Sequence, residues 1–497
     1  MDWLELKKSI VKDTDLSART SDLLALTAVL EGEQYDHLPH PFSKEESGGG
    51  EYIPLSNRRP SVRTNLCRVV VDDAVSLLFS EGHFPSIQGG DETAREALNA
   101  LIKARELNCL MIDAATKGSV GSVAVLMRIL KNKPFFSVMP TAYLTPEWQP
   151  DDPGKLKRVT EQYKVAAKDL IAQGYDVAPD AGIHWFRRAW DAEYETWFLP
   201  WPVSDGNVAK PRVDKANTVQ HGLGFCPLVW IKNLPGGNGV DGACTFKVGI
   251  DTVIETDYLV SQGGRALKYG SDPTLVLKDQ AANTGAAPEH VGGAARMLQL
   301  QPESDAKLLE INGGAASVVL EHVKALRTLV LEQLHGNRTD ADRLSAASSG
   351  RAMELMNQSL VWLADRMRIT YADGGLLSLL RMVCKASRVI KGGIAIGPDD
   401  DDEPEVYKDL DAKGITLRWP AWYAPTHTDK QAVTTALAEA VSGGIMSRES
   451  AVSALAPVYD TPDVKAEIAA IIQDQVDDLK RAAASPTPPV ITQTIPE

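Results

Sequence analysis

Cysteine is scarce in this chain and scattered. Cys67, Cys109, Cys226, Cys244 and Cys384 lie far apart, odd in number and without a CxxC pair. That pattern favours reduced, partly buried thiols over a disulfide framework or a zinc site. Long apolar runs are missing as well. The best, Val120 to Leu130, contains Arg128 and falls short of the ~20 residues a membrane helix needs. The N-terminus, Met1-Asp2-Trp3-Leu4-Glu5-Leu6-Lys7-Lys8, alternates charge with apolar side chains and lacks the apolar core of a signal peptide. A soluble chain made in a cytoplasm, with no membrane partner, is expected. Positive charge is in deficit too, with 52 Lys+Arg against 66 Asp+Glu. The imbalance concentrates at the end, where residues 397–497 hold 8 basic and 18 acidic side chains. Stable DNA binders carry a basic surface, so if this chain handles DNA it does so without gripping it.

Catalytic constellations are also wanting. No G-x-x-x-x-G-K-[ST] segment exists to cradle nucleotide phosphates, and no H-E-x-x-H to hold a catalytic zinc. Gly222-Leu223-Gly224 runs into Phe225-Cys226-Pro227 rather than opening a helix, which leaves a dinucleotide fingerprint unsupported. Ser119, in Gly118-Ser119-Val120-Gly121, is not a nucleophile elbow. His37 and His40 form the only close histidine pair, in a Pro-rich loop that reads as solvated. His322 and His335 read as surface or packing positions on a long helix. The run Asp399-Asp400-Asp401-Asp402-Glu403 could attract a divalent cation, but consecutive like charges usually mark a solvated loop because ligands must converge. The aromatic stretch 184–201 reads as strand packing rather than a binding surface. The expectation is a protein with no enzymatic activity, no cofactor and no metal.

What is present is enough apolar sequence, 44% of 497 residues, to build about two to four structural units. Residues 1–32, 61–80 and 92–116 read as helical, and 33–56, with Gly48-Gly49-Gly50, as a loop. From Val120 the pattern turns strand-like, in Val123–Met127, in Phe135–Val138, and around Val159, Tyr163 and Val165. Residues 246–269 again look helical. A stretch rich in Gly and Ala follows over 270–312 and carries two apolar runs, which fits a compact, mostly β insertion. Val319, Val323, Leu326, Val330 and Leu334 then mark one helix face. At ~1.5 Å per residue, 315–335 spans about 30 Å. After a polar break at 336–350, Met353, Met356, Leu360, Leu363 and Met367 resume the period toward Ala386. A helix over about 429–442, another capped by Ser447 and a last one opened by Thr461-Pro462-Asp463 precede a Pro-rich tail at 484–497. The fold class is α+β, mainly helical.

Four segments, in order, resemble the portal proteins of long-tailed phages. The first is Asn57-Arg58 with Asn65-Leu66-Cys67-Arg68-Val69-Val70-Val71-Asp72, closing on Leu77-Leu78-Phe79-Ser80. The second is Gly222-Leu223-Gly224-Phe225-Cys226-Pro227-Leu228-Val229, followed by Asn233 and Asn238. The third is Ser348-Ser349-Gly350-Arg351-Ala352-Met353-Glu354-Leu355. The fourth is Gly443-Gly444-Ile445-Met446-Ser447-Arg448-Glu449-Ser450-Ala451, ahead of Asp460 and Asp463.

The resemblance implies a portal fold, ring-forming, with wing, stem, clip and crown regions. Residues 1–245 would be the wing, 246–269 and 313–336 the two stem helices, and 270–312 the clip. Residues 337–350 would be a tunnel loop, 351–425 the long helix and β return of the wing, 426–483 the crown, and 484–497 a flexible tail. It further implies a homo-oligomer, a dodecamer in this family, at one capsid vertex of the virion and assembled in the host cytoplasm. Double-stranded DNA would pass through its channel. Its partners would be the terminase large subunit, head-completion or adaptor and tail proteins, and the major capsid and scaffolding proteins. On this reading Arg338, Arg343, Ser345, Ser348 and Ser349 face DNA, Gly350 is a hinge, and Lys324 and Arg327 are channel or stem candidates. A different virion structural protein, such as a head–tail adaptor or capsid subunit, predicts the same lack of catalytic motifs and stands as the alternative.

Overall fold

The structure, a computed structural model, describes residues 2–205, 211–271, 274–278, 305–309, 314–336, 350–397, 404–423, 426–456, 458–459, 461 and 464–484. The chain divides into two compact units, one of residues 1–338 and 359–418, the other of 339–358 and 419–497.

The larger unit begins with helices Trp3–Ile10 and Ala18–Glu31, the second capped by the Ser17 side chain and stopped by Gly32 at φ 76°. The 61–80 reading narrows here to a helix at Leu66–Phe79. Asn65 sits at φ 45° and turns the chain sharply into it, and the residues just before it are outside any helix. The 92–116 reading splits in two, Glu92–Ala104 and Leu107–Gly118, because Glu106 takes φ 45° between them.

Two antiparallel sheets carry the strands. Ser122–Leu130 lies between Lys133–Pro140 and Leu228–Lys232. Its hairpin turn, Lys131-Asn132, has both residues at positive φ, the backbone form that matches strand twist in a two-residue loop. Because Val123 to Met127 are buried throughout, this strand reads as a continuous apolar run instead of an alternation. The larger sheet orders Val213–Gln220, Tyr194–Phe198, Ile183–Trp190, Leu156–Ala166 and Leu144–Trp148, with Trp201–Pro202 added on Ile183–Trp190. Trp185, Phe186, Trp190, Phe198 and Trp201 are all buried, so the aromatic stretch packs the sheet. Three short strands, Ile394–Ile396, Glu405–Tyr407 and Thr416–Arg418, follow the helices, and the last pairs with Ser86–Gln88.

The expected helix over 351–386 is interrupted. It appears as Gly350–Met356, Gln358–Met367, a π-helical stretch Arg368–Leu376, and Leu377–Val389. Gly374-Gly375 lie in the widened turns, where the amide of Leu377 bonds Ala372 five residues back. All five cysteines are free thiols, with Cys67, Cys226 and Cys384 buried and Cys109 exposed. No helix among the described residues is long and apolar enough to cross a membrane.

Candidate functional site

Two long helices, Ile250–Ser271 and Gly314–Gln333, pack against each other. They are antiparallel. A Cβ on Gly249 would come within 2.9 Å of Leu334, and one on Gly263 within 2.9 Å of Val319. Moving up the first helix from 249 to 263 thus matches moving back along the second from 334 to 319. Just beyond the far ends, Thr274–Lys278 pairs antiparallel with Asp305–Leu309, in register Thr274 to Leu309. The insertion therefore starts and finishes as a β-hairpin ladder. Leu275-Val276-Leu277 fall in it, whereas Met297–Leu300 lie outside the described residues.

The predicted apolar face of the second helix is the seam. Val319, Val323 and Leu326 are half-buried, and Val330 and Leu334 buried. Placed at about 100° per residue, the rest of this helix sorts into three strips. Val318 and Leu329 lie on one flank, 66% and 42% exposed. Leu320, Lys324 and Arg327 lie on the other, all exposed. Opposite the seam are Ser317, Glu321, Thr328 and Glu332, also exposed. Val318 and Leu329 are the unusual part, since a solvent-facing helix surface seldom sets valine and leucine together beside its packed stripe. His335 is not on the helix as expected. It sits at φ 57° in a turn that closes when the amide of Gly336 bonds the Leu331 carbonyl at 2.8 Å.

The first helix is held at its root mostly by residues outside the four motifs. Asp257, fully buried, accepts from the Thr64 amide and hydroxyl at 2.8 Å each and from the Tyr35 hydroxyl at 3.0 Å. One turn on, Ser261 Oγ accepts from the Val62 amide at 3.0 Å. Tyr258 donates to the Arg58 carbonyl at 2.9 Å, and Arg265 pairs with Glu45. Asp251 accepts from the Trp3 amide at 2.7 Å. Residues 35–65 therefore strap the helix along more than two turns. The Asn57-Arg58 motif belongs to that strap. Arg58 is 2% exposed, its guanidinium lying over the Phe42 and Tyr52 rings and donating to the Tyr52 hydroxyl at 2.9 Å. Burial raises the Asp257 carboxyl above its ordinary range, although Thr64 and Tyr35 pull the other way. A lone carboxylate between Ile254 and Tyr258, on an otherwise apolar face, was the signal available in the sequence.

The second motif builds the platform beside the root. Pro227 leads into Leu228–Lys232, and Asn233 ends that strand, fully buried. Its amide nitrogen donates to the carbonyls of Ser119 and Ala243 and to Thr245 Oγ1, while its oxygen accepts from the Tyr371 hydroxyl at 3.0 Å. Asn238 Oδ1 takes the amides of Val240 and Asp241. Asp241 then receives a two-pronged Arg19 at 2.6 and 2.7 Å and Ser122 Oγ at 2.5 Å. Burial works against ionisation there, but Arg19 and Ser122 prevail and hold the carboxyl below its usual value.

The remaining predicted positions fall out unevenly. Lys324 and Arg327 share one exposed flank. Gly350 begins a helix. Arg338, Arg343, Ser345, Ser348, Ser349 and the acidic run 399–403 lie outside the described residues. His37 Nε2 is hydrogen-bonded with Ser9 Oγ at 2.6 Å. In the smaller unit, Gly443-Gly444 end the helix His427–Ser442, with Gly444 at φ 69°. Ser447 caps Arg448–Leu455 through the Ser450 amide, as its place before the helix predicts.

No curated protein matches the chain. A family model does, over residues 11–478, and its description is phage portal protein, SPP1 Gp6-like. All four motifs lie inside that span, as do the strapped helix pair and the turn at 443–447, and the chain belongs to the phage portal protein family.

Proposed function

We propose that copies of this chain close into a ring, a dodecamer in its family's manner, whose central channel carries double-stranded DNA during packaging and ejection. Residues 250–271 and 314–336 are the stem, the insertion between them the clip, 337–350 the tunnel loop and 426–483 the crown. The observation that carries this reading is the second stem helix. One seam covers it within the subunit, and two unlike exposed flanks remain for two neighbours, one with Val318 and Leu329 and the other with Leu320, Lys324 and Arg327. A head-to-tail contact of unlike surfaces that closes on itself needs two such flanks. The β ladder at 274–278 and 305–309 has outer edges that neighbouring copies can pair or cover.

The charge balance supports sliding over gripping. Residues 315–385 hold nine Lys+Arg and seven Asp+Glu, close to neutral. A wall neutralising many phosphates would release counterions and hold DNA tightly. Arg338 and Arg343 are the candidates to touch phosphates, with Asp340 and Asp342 limiting the grip, Ser345, Ser348 and Ser349 keeping the loop small-sided, and Gly350 its hinge. The terminase large subunit supplies packaging energy. Head-completion, adaptor and tail proteins take its place at the clip end after filling, and capsid and scaffolding proteins surround the wing at the capsid vertex.

The test is Arg338→Ala with Arg343→Ala. Rings viewed down the axis by negative stain should be unchanged, while packaged or retained DNA falls. Each lost phosphate contact should lower the salt slope of DNA binding by about one unit in the log–log plot. Normal packaging and retention would remove the loop from the DNA path, and lost rings would assign it to subunit contacts.

A further inference from the structure

One face of the larger sheet gathers hydrogen-bond donors that nothing in the subunit satisfies. Register sets Glu147 opposite Arg158, Thr160 opposite Ala189, and Gln162 opposite Arg187. Cross-strand partners and residues two apart share a face. Arg158 and Arg187 therefore stand on the same side, separated by the small pair Thr160 and Ala189. Trp185, two residues before Arg187, is on that side too. A cavity of about 870 Å³ is lined by Thr160, Trp185 and Arg187 from this face and by Ser17 and Tyr143 from outside the sheet.

Trp185 is 8% exposed, and among the described residues its Nε1 has no hydrogen-bond partner. The Nε atoms of Arg158 and Arg187 are likewise buried and unpartnered among the described residues. Arg187 lies over the Phe198 ring, 5.5 Å from its centroid, a contact that uses the face of the guanidinium and leaves its N–H groups available. Burial and then the charge of Arg158 lower the Arg187 guanidinium from its ordinary range, and Glu147 offsets only part of this. Asp15, which also lines the cavity, is engaged by Lys164 at 2.8 Å, as is Asp13. All three unmatched atoms of the face are donors, so whatever completes them brings acceptor oxygens. Two guanidiniums beside the single carboxylate of Glu147 also leave one positive charge to be met, and planar oxyanions meet a guanidinium best.

We propose that this cavity binds a small organic anion, its carboxylate or phosphate head held by Arg187 and Trp185 and its apolar body set against the neighbouring aromatic side chains. Size argues against a bare ion, because small-molecule pockets run from about 300 to 1,000 Å³ and this one lies toward the upper end. The apolar surface is at hand. Trp185 packs with Ala189, Phe198 and Trp201, and Val203, which lines the cavity, packs against them. The helix Ala18–Glu31, capped by Ser17 at the cavity wall, adds the positive end of its dipole.

The experiment is titration calorimetry on the full-length chain with phenyl phosphate, phenylacetate, inorganic phosphate and benzyl alcohol. At least one of the two aromatic anions should bind with a Kd below ~1 mM, and the tighter one identifies the head group. Inorganic phosphate and benzyl alcohol each offer half of the match and should bind at least ~10-fold more weakly. Arg187→Gln removes the charge and should weaken the aromatic anion by about 10- to 100-fold. Trp185→Phe keeps a ring, removes the N–H and should weaken it by about 3- to 10-fold. Circular dichroism and thermal midpoints report whether each variant folds, and the comparison of probes on the unaltered chain depends on neither. If no aromatic anion binds below that limit, if benzyl alcohol binds as tightly, or if either folded variant binds like the unaltered chain, the cavity is not this anion site. Equal binding of inorganic phosphate and phenyl phosphate would reduce it to an adventitious ion only and overturn the organic ligand.

Discussion

The Tyr371 hydroxyl donates to Asn233 Oδ1 at 3.0 Å, deep in the larger unit where both residues are fully buried. One contact thereby joins the π-helical stretch after the long helix pair to the strand end before it. Tyr371→Phe keeps the ring and removes the donor, leaving a buried carbonyl oxygen without that bond. The expected cost is about 1–3 kcal/mol, read as a lower urea midpoint at unchanged slope. A cost near zero would mean the contact is not formed in solution.

Gly118 tests the same corner from the other side. Alanine is the better helix former by about 1 kcal/mol, but a Cβ here would stand 2.2 Å from the Tyr371 oxygen and 3.0 Å from Val123. Overpacking of that kind costs about 1–3 kcal/mol, so the clash should win and Gly118→Ala should destabilise. Adding Tyr371→Phe removes the nearest atom. The double variant should therefore lose less than the two single losses combined, as a double-mutant cycle would show.

Two buried carboxyls should respond to pH in opposite senses. Asp241 is depressed by Arg19 and Ser122 against the cost of burial. Its stabilisation is present above the ordinary carboxyl pKa and is lost as pH falls through the depressed folded value. Asp241→Asn should cost about 3 kcal/mol near neutrality and progressively less in acid. Asp257 is raised by burial. Its favourable contribution is complete below the ordinary carboxyl value and declines as pH rises through the raised one. Asp257→Asn, with Tyr35 turning to accept from the new amide, should lose stability relative to wild type in acid and recover part of it toward pH 8. Unfolding curves at about pH 2.5, pH 4 and pH 8 decide both, the lowest testing Asp241 and the upper pair Asp257, and parallel behaviour of the two variants would refute the assignment.

The sequence disclosed what depends on short periods and said little about what depends on long reach. The seam Val319 to Leu334 was legible because its 3–4 residue spacing is a property of one helix. The Ser447 cap and the Gly443-Gly444 turn were legible for the same local reason. The strap was not. Asp257 meets Thr64 and Tyr35 from some two hundred residues away, and the nearest hint was a single acid among apolar neighbours. The break at 368–376 was half visible, since Gly374-Gly375 mark a weak point, but a widened turn shifts helix phase without altering composition. Asn65 and Glu106 at positive φ moved two helix starts because neither residue type demands that conformation.

The flanks of the Gly314–Gln333 helix give the most direct test of assembly. Val318 and Leu329 are 66% and 42% exposed, so a change there spares the subunit core. In a closed ring that flank meets the unlike surface of the next copy. Burying one leucine contributes roughly 1.5–3 kcal/mol, repeated at every interface, whereas burying an unpaired lysine opposes association at each one. Leu329→Lys should therefore leave the circular dichroism and thermal midpoint of dissociated subunits nearly unchanged and shift light scattering from rings to small species. Glu321→Ala, opposite the seam, removes a charge from the surface that the ring reading leaves to solvent or channel, and it should assemble normally. Rings from Leu329→Lys as abundant as from wild type would show that this flank faces no neighbour. Loss of rings from Glu321→Ala alone would place the contact on the opposite strip.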